Sequence, residues 1–504
     1  MIKIFNASQI KKIDECTVGN QGISSIDLME RASLAVYNLL LERLDPQLPV
    51  FIFAGSGNNG GDALAVARML LVKDYNLHIY LIGNEGGLST DCKINKERLE
   101  HIHTVHIINS EEDIPEIEDN ASVIDGIFGS GLNRPVEGIY LNVINKINNS
   151  KAKVYSIDIS SGMFVEDNSN NEAGAIVKAD EVFTFQFPKL SMLLPDSNAF
   201  INKMTIVDIG LSQDCIEKIN TEYYFLQKED ISGLLQSRSN FSHKGDFGRA
   251  VIAAGSYGKM GAAIMAAKAC LRSGVGLLTM HIPGCGVDIM QAVVPEAMVD
   301  ADAASDNISK LNQENMDKYT FGIGPGIGTK DDVIGFISYL FDNYTKPLVV
   351  DADALNIISE NEYLKKKIPS KSILTPHPVE FERLSGKKFD NGYSRLQAAR
   401  DFAFAFDVYI VLKGAYTAIV SPDKTVHFNS TGNPGMATGG SGDILTGIIT
   451  SLLAQKYNPL DAARMGVYLH GLAADLAVQT ISERSLLPSD IIENIGKAYL
   501  SLEK

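Results

Sequence analysis

The chain has no tryptophan, fewer basic than acidic residues, and no apolar run long enough to cross a membrane. Each lack removes a class of function. A membrane-spanning helix needs about 18 or more consecutive apolar residues, so none is expected. The opening MIKIFNASQIKKIDE is amphipathic and of mixed charge, unlike a signal peptide. A net charge of −16 opposes nucleic-acid binding, because phosphate backbones are held by basic surfaces. Any stacking on bases would fall to tyrosine and phenylalanine. Cysteine is scarce as well. Cys16, Cys92, Cys215, Cys270 and Cys285 lie far apart, one is necessarily left over, and no C-x-x-C occurs. That pattern reads as reduced thiols in a cytoplasmic protein.

What is present is an ordinary globular composition, 45% hydrophobic and 21% charged, over 504 residues, which is too long for one domain of usual size. Short apolar runs alternate with helical patterns twice over. In the first half, strands are expected at Pro49–Ala54, Leu77–Ile82, Ser122–Ile124, Val154–Ile157, Glu181–Phe185 and Met204–Ile209, with a helix over Asp62–Val72. Helical spacers between strands imply parallel pairing, since parallel strands need long returns. The second half restarts at Arg249–Ala254, with a helix over Lys259–Ser273 and strands through Leu348–Asp351 to Thr425–Phe428. Leu211–Phe241 is polar and mixed in charge, which places the boundary near Glu217–Tyr223 and gives domains 1–217 and 218–504. The fold class is α/β in both, with a Rossmann-like three-layer arrangement in the first.

In the first half, polar groups gather at strand ends, where open α/β sheets bind ligands. One is the loop Gly55–Asp62, containing Asn58, Asn59, Gly60, Gly61 and Asp62. A second is Asp125 with the loop Gly129, Ser130, Gly131, Leu132, Asn133, Arg134 and Pro135, and a third is Asp158 with Ser161. The paired asparagines suit sugar hydroxyls, phosphates or a hard cation. His101, His103 and His106 have metal-like spacing, but Glu100–Ile108 alternates like a surface strand.

In the second half, Asn433, Pro434, Gly435, Met436, Ala437, Thr438, Gly439, Gly440, Ser441 and Gly442 lead into Asp443 and the apolar run from Ile444. Glycines let backbone approach a ligand, and the N–H groups opening a helix attract phosphate. A carboxylate at that first turn can take a proton from a substrate hydroxyl. Gly322–Gly328, Asp351-Ala352-Asp353, the His377–Glu380 loop and Lys413–Thr417 fall at further strand ends. An acidic, glycine-lined floor of this kind suits Mg²⁺-assisted phosphoryl transfer, with Asp351 and Asp353 as candidate ligands.

Through NNGGD, DGIFGSGLNRP and DISSG, roughly Ile4–Leu211 resembles the YjeF N-terminal domain of the NAD(P)H-hydrate epimerase family. The resemblance implies that Asn58–Asp62 and Gly129–Pro135 cradle a damaged nicotinamide nucleotide. It further implies that Asn59, Asp125 and Ser161 hold K⁺, that Asp158 is the base at the hydrated carbon, and that Tyr140 is a candidate substrate contact. Ala63, Ser160 and Phe164 stand where that family commonly has glycine, proline and aspartate.

From about Phe241 to Tyr499, the set GIGPGIG, DADAL, LTPHPVEFERL, KGAYT and NPGMATGGSGDILTGII resembles the ribokinase-like ADP/ATP-dependent NAD(P)H-hydrate dehydratases. This implies nucleotide binding by Lys413, Gly414, Ala415, Tyr416 and Thr417 and by Asn433–Gly442. It implies hydrate contacts from Gly326, His377, Pro378, Val379 and Glu380, with Asp443 activating the hydroxyl. Val379 stands where glycine is usual. The expected protein is a two-activity enzyme that epimerises R- and S-NAD(P)HX and dehydrates the S form with ADP, or ATP, and Mg²⁺. Its expected partners are small molecules and further copies of itself, and its expected place is the cytoplasm. The alternative is a vitamin-precursor kinase with an appended nucleotide-sensing domain, which shares G-x-G-D but would not be expected to carry the other motifs together.

Overall fold

The structure is a computed structural model describing residues 1–83, 85–311 and 316–503. The chain divides into two compact units. One comprises Lys3–Thr221 with Asn391–Tyr393, and the other Met1–Ile2, Glu222–Asp390 and Ser394–Lys504.

The Lys3–Thr221 unit is built on a parallel sheet. Its spatial order is His106–Ile108, Leu77–Ile82, Val50–Ala54, Ser122–Gly126, Lys153–Ile157, Ala179–Phe185 and Ile201–Val207. Val50–Ala54 is buried along its whole length, as its unbroken apolar run requires of a central parallel strand. Strand order reverses between this strand and Ser122–Gly126, which opens a crevice at their carboxyl ends. Both Asn59 and Asp125 lie there.

Two local expectations need correction. The helix after Val50–Ala54 begins at Asn58, not Asp62, so the NNGG residues form its first turns. Glycine is a poor helix former, but a Cβ on Gly60 would lie 1.8 Å from the Gly55 carbonyl oxygen, so the turn closes only with glycine there. The expected Glu100–Ile108 strand is also too long. The helix Thr90–Glu100 ends there, a turn follows, and only His106–Ile108 pairs.

The other unit is a mixed sheet. From Tyr223–Phe225 the order runs through Val426–Phe428, Ala418–Val420, Tyr409–Leu412, Ile373–Leu374, Val349–Val350, Thr320–Ile323, Arg249–Ala253, Leu277–Ile282 and Met298–Ala301. Pairing is parallel except along Tyr409–Leu412, Ala418–Val420 and Val426–Phe428, which form an antiparallel meander. Tyr223–Phe225 and the helix Lys228–Ser232 stand inside the stretch that read only as polar and mixed in charge.

The core of this unit is the helix Ser441–Ala454, buried almost all round. It packs on the helix Met260–Arg272, where a Cβ on Gly447 would lie 2.2 Å from the Ala266 carbonyl oxygen. That contact fixes the depth of the helix that carries Asp443.

The thiol expectation is overturned for two cysteines. Cys16 and Cys215 form a disulfide, 199 positions apart in sequence with Cα atoms 5.9 Å apart. The helices Ala7–Gln21 and Gln213–Lys218 bring them together, and separation along the chain gives no sign of that. Cys92, Cys270 and Cys285 are free.

Candidate active sites

In the Lys3–Thr221 unit, three neighbouring strand ends meet around Asp125. Its buried carboxylate accepts from Ser161 Oγ at 2.5 Å, Ser156 Oγ at 2.7 Å, and the N–H groups of Ser161 at 3.0 Å and Ile127 at 3.2 Å. Burial raises the Asp125 pKa, and these hydrogen bonds oppose the rise. The amide of Asn59 donates to the carbonyls of Phe128 at 3.0 Å and Ile157 at 3.1 Å, while Ser161 Oγ donates to the same Phe128 oxygen at 3.2 Å. Asn59, Asp125 and Ser161 therefore share one oxygen-rich knot.

Asp158 follows the next strand with φ 66°, a left-handed conformation that aspartate tolerates better than most residues. One carboxylate oxygen accepts from Lys189 Nζ at 2.6 Å and from the Phe185 N–H at 3.3 Å; the other accepts from the Ser130 N–H at 3.3 Å. The 129–135 loop is thus attached to Asp158 through Ser130. Gly131, Asn133, Arg134 and Pro135 are exposed along it, and Leu132 packs against the core. Gly129 lies against Asn59, its notional Cβ 3.2 Å from that side chain.

Two predicted residues turn elsewhere. The Asp62 carboxyl accepts from Ser33 Oγ at 2.9 Å inside the unit, where burial pushes its pKa well above the usual carboxylate range. Tyr140 donates its hydroxyl to the Ile82 carbonyl at 3.0 Å and tilts its ring against Phe128. Both brace the walls of the crevice. Sequence reasoning missed Lys189 and Asp14. The one available signal for Lys189 was a lone charge within the apolar stretch FQFPKLSMLLP.

In the other unit, Gly440 takes φ 100° and opens the helix Ser441–Ala454, so that Asp443 stands in its first turn. Burial, then repulsion from Asp351, pushes the Asp443 pKa up to about 7, against the pull of Lys413. Lys413 Nζ lies 3.0 Å from Asp351 and 3.8 Å from Glu380. Burial opposes the charge on Lys413, but the carboxylates of Asp351, Glu380 and Asp443 outweigh it and raise its pKa. Thr446 Oγ1 donates to Asp351 at 2.7 Å, which ties this cluster to the Asp443 helix.

His377 caps the helix Pro378–Ser385: its Nδ1 accepts from the N–H groups of Val379 and Glu380, and Glu380 accepts the His377 N–H at 2.8 Å. The His377–Glu380 loop is thereby joined through Glu380 to Lys413. Gly326, at φ 66°, accepts from Ser256 Oγ at 2.7 Å, and Asp353 holds the Gly328 N–H and Lys259.

Of the glycine loop, Asn433 caps Pro434–Met436 and bonds Asp475, and Ser441 Oγ lies 3.2 Å from His470 Nε2. Burial and the Lys413 charge lower the His470 pKa to about 4, which leaves a neutral ring at pH 7. Gly414 and Thr417 close their own turn, while Tyr416 leans on Phe225. Thr446, His470 and Asp475 were not foreseen, because each lies within a helix and its partner is distant in sequence: Asp351 is 95 positions from Thr446, Ser441 29 from His470 and Asn433 42 from Asp475.

A family model described as YjeF-related protein N-terminus matches residues 25–191, and one described as NAD(P)H-hydrate dehydratase matches 250–497. A bifunctional NAD(P)H-hydrate repair enzyme of Thermofilum pendens is 32% identical, with 100% of this chain and 97% of the relative covered. The Escherichia coli enzyme of the same description is 30% identical, with 98% and 93% covered. Among solved structures, a Bacillus subtilis ADP/ATP-dependent NAD(P)H-hydrate dehydratase co-crystallised with ATP/Mg²⁺ is 31% identical. It covers 56% of this chain and 99% of its own, with a TM-score of 0.49. The two family models match the two halves separately, and full-length relatives carry them together. The chain belongs to the family of bifunctional NAD(P)H-hydrate repair enzymes.

Proposed function

We propose that the Lys3–Thr221 unit interconverts the R and S epimers of hydrated NADH and NADPH, and that the second unit dehydrates the S epimer using ADP or ATP. The observation that carries this reading is the presence, in one chain, of two separate carboxyls at strand or helix ends, Asp158, which is buried, and Asp443, which is half-buried. Spontaneous hydration yields both epimers, whereas one dehydratase geometry positions only one of them.

In the dehydratase unit, Asp443 takes the proton of the substrate hydroxyl as its oxygen attacks the terminal phosphoryl group. Phosphate then leaves the hydrated carbon with the C–O bonding electrons, and the adjacent ring carbon loses a proton, so that the C–H electrons form the ring double bond. Backbone N–H groups at the start of the helix Ser441–Ala454 and in the glycine loop before it would bind the phosphates, and Lys413 sets the charge of the acidic floor. The fit for Mg²⁺ rests on Asp351 and Asp353, whose charges both bear on Asp443. Such an ion uses few protein carboxylates beside phosphate oxygens and neutralises charge on the transferring group. ADP is the preferred nucleotide in this reading.

In the epimerase unit, Asp158 is the base at the hydrated carbon, and Asn58–Gly61 with Gly129–Pro135 hold the nucleotide. Asn59, Asp125 and Ser161 would hold K⁺. One carboxylate among neutral oxygens suits a monovalent ion, which would order the loops around Asp158. Activity as a homo-oligomer in the cytoplasm completes the reading. No helix among the described residues is long and apolar enough to cross a membrane.

The test is to add the protein, Mg²⁺ and ADP or ATP to mixed-epimer NADHX and follow NADH absorbance. Complete conversion is expected with nucleotide present. Nucleotide-independent turnover, or conversion that stops with the R epimer unused, would overturn the two-site scheme.

A further inference from the structure

We propose that Lys189 is a positioning residue of the epimerase site, fixing the Asp158 carboxylate so that a single oxygen is presented to substrate. This rests on the reading of Asp158 as the epimerisation base.

The Lys189 side chain is only 1% exposed, which is rare for an ammonium group unless it is paired. It follows the strand Ala179–Phe185 and precedes the turn Leu190–Leu193. Its three protons meet four acceptors: Asp158 Oδ1 at 2.6 Å, Thr184 Oγ1 at 2.9 Å, and the carbonyls of Phe185 and Phe187, both at 3.2 Å. Three of these come from one short segment, so the ammonium is held by its own loop and only then applied to Asp158. Phe5 packs edge-on against Phe187 at 4.9 Å, closing that loop against the start of the helix Ala7–Gln21.

The two carboxylate oxygens of Asp158 are treated differently. Oδ1 is occupied by Lys189 and the Phe185 N–H. Among the described residues, Oδ2 has only the Ser130 N–H, at 3.3 Å, from the loop expected to hold substrate. The working oxygen is therefore Oδ2, and Lys189 selects it by engaging the other. A third ionisable group bears on the pair. Burial, then the Asp158 charge, pushes the Asp14 pKa up to about 7, while Lys189 pulls it down. Among the described residues Lys189 is the positive charge that acts on Asp14, and loss of it would leave Asp14 and Asp158 to repel each other.

The test is epimerisation kinetics in the full chain with Lys189→Met, Asp158→Asn and the double variant. Lys189→Met should lower kcat at least about tenfold with KM within about twofold. The double variant should match Asp158→Asn alone, because Lys189 acts through that carboxylate. If Lys189→Met does not fold, judged by calorimetry, Thr184→Val removes one partner of the ammonium and keeps the ion pair. It should lower kcat a few-fold at unchanged KM, with no effect in the Asp158→Asn background. A folded variant with full kcat would overturn the proposal, as would multiplicative losses in the double variant. Absence of epimerisation by the wild-type chain would instead remove the epimerase reading itself, and the role of Lys189 with it.

Discussion

Asp443 concentrates the chemistry of the dehydratase unit in one carboxyl, and its burial has two opposite consequences. As a base it must be ionised, so kcat/KM for the hydrate should rise with pH through about 7, the value to which burial and Asp351 push it. For stability the sign reverses. A carboxyl whose folded pKa lies above its unfolded value near 3.8 binds its proton more tightly when folded. Its favourable contribution is therefore present at low pH and lost as pH rises from about 4 to about 7. Asp443→Asn should reduce nucleotide-dependent dehydration on the order of a hundredfold or more. The same variant should melt higher than wild type at pH 8, but not at pH 4, in calorimetry without nucleotide. A variant that keeps its rate ends the assignment. Asp125 offers a second contrast. Asp125→Ala removes the acceptor of four hydrogen bonds, and should impair epimerisation while dehydration of pure S epimer proceeds normally. Equal retention of both rates would end the proposed cation site. Asp443 could be proposed from sequence because glycines, an acid and an apolar run are local signals. Lys189 could not: its importance lies in what surrounds it after folding, and nothing in FPKL states that its ammonium has four acceptors.

At the scale of elements, the long apolar strands and helices were legible because they are central and buried, so their composition is nearly uniform. The α/β reading of both halves holds. The strands that escaped, Ile2–Ile4, Tyr223–Phe225 and Met298–Ala301, have three, three and four residues, too few for an alternating pattern to show. Helix starts misled for a different reason. Gly60 and Gly61 lower helix propensity, yet close backbone approach makes them necessary in the first turns of Asn58–Leu71. The same logic gives a prediction for the helix pair of the second unit. Gly447→Ala would place a methyl 2.2 Å from the Ala266 carbonyl oxygen, and the helices must separate to admit it. A loss of about 1–3 kcal/mol is expected from this overpacking, read from urea unfolding. Dehydration should fall too, since Asp443 lies one turn from Gly447 on the same helix. An unchanged midpoint would show that the pair has slack.

At the scale of the whole molecule, the chain alternates between locally coded and globally coded features. Sequence could suggest two α/β halves because the strand and helix pattern restarts. It could not pair Cys16 with Cys215, because only the completed fold brings the helices Ala7–Gln21 and Gln213–Lys218 together. Reducing that bond should destabilise the Lys3–Thr221 unit by about 2–5 kcal/mol. Scanning calorimetry with and without reductant should show an earlier epimerase-unit transition and an unmoved dehydratase-unit transition. Parallel shifts in both would contradict it. The same bond makes nearly all of one unit a covalent ring. A protease cut anywhere between Cys16 and Cys215 would leave one connected polypeptide on a non-reducing gel and two pieces on a reducing one.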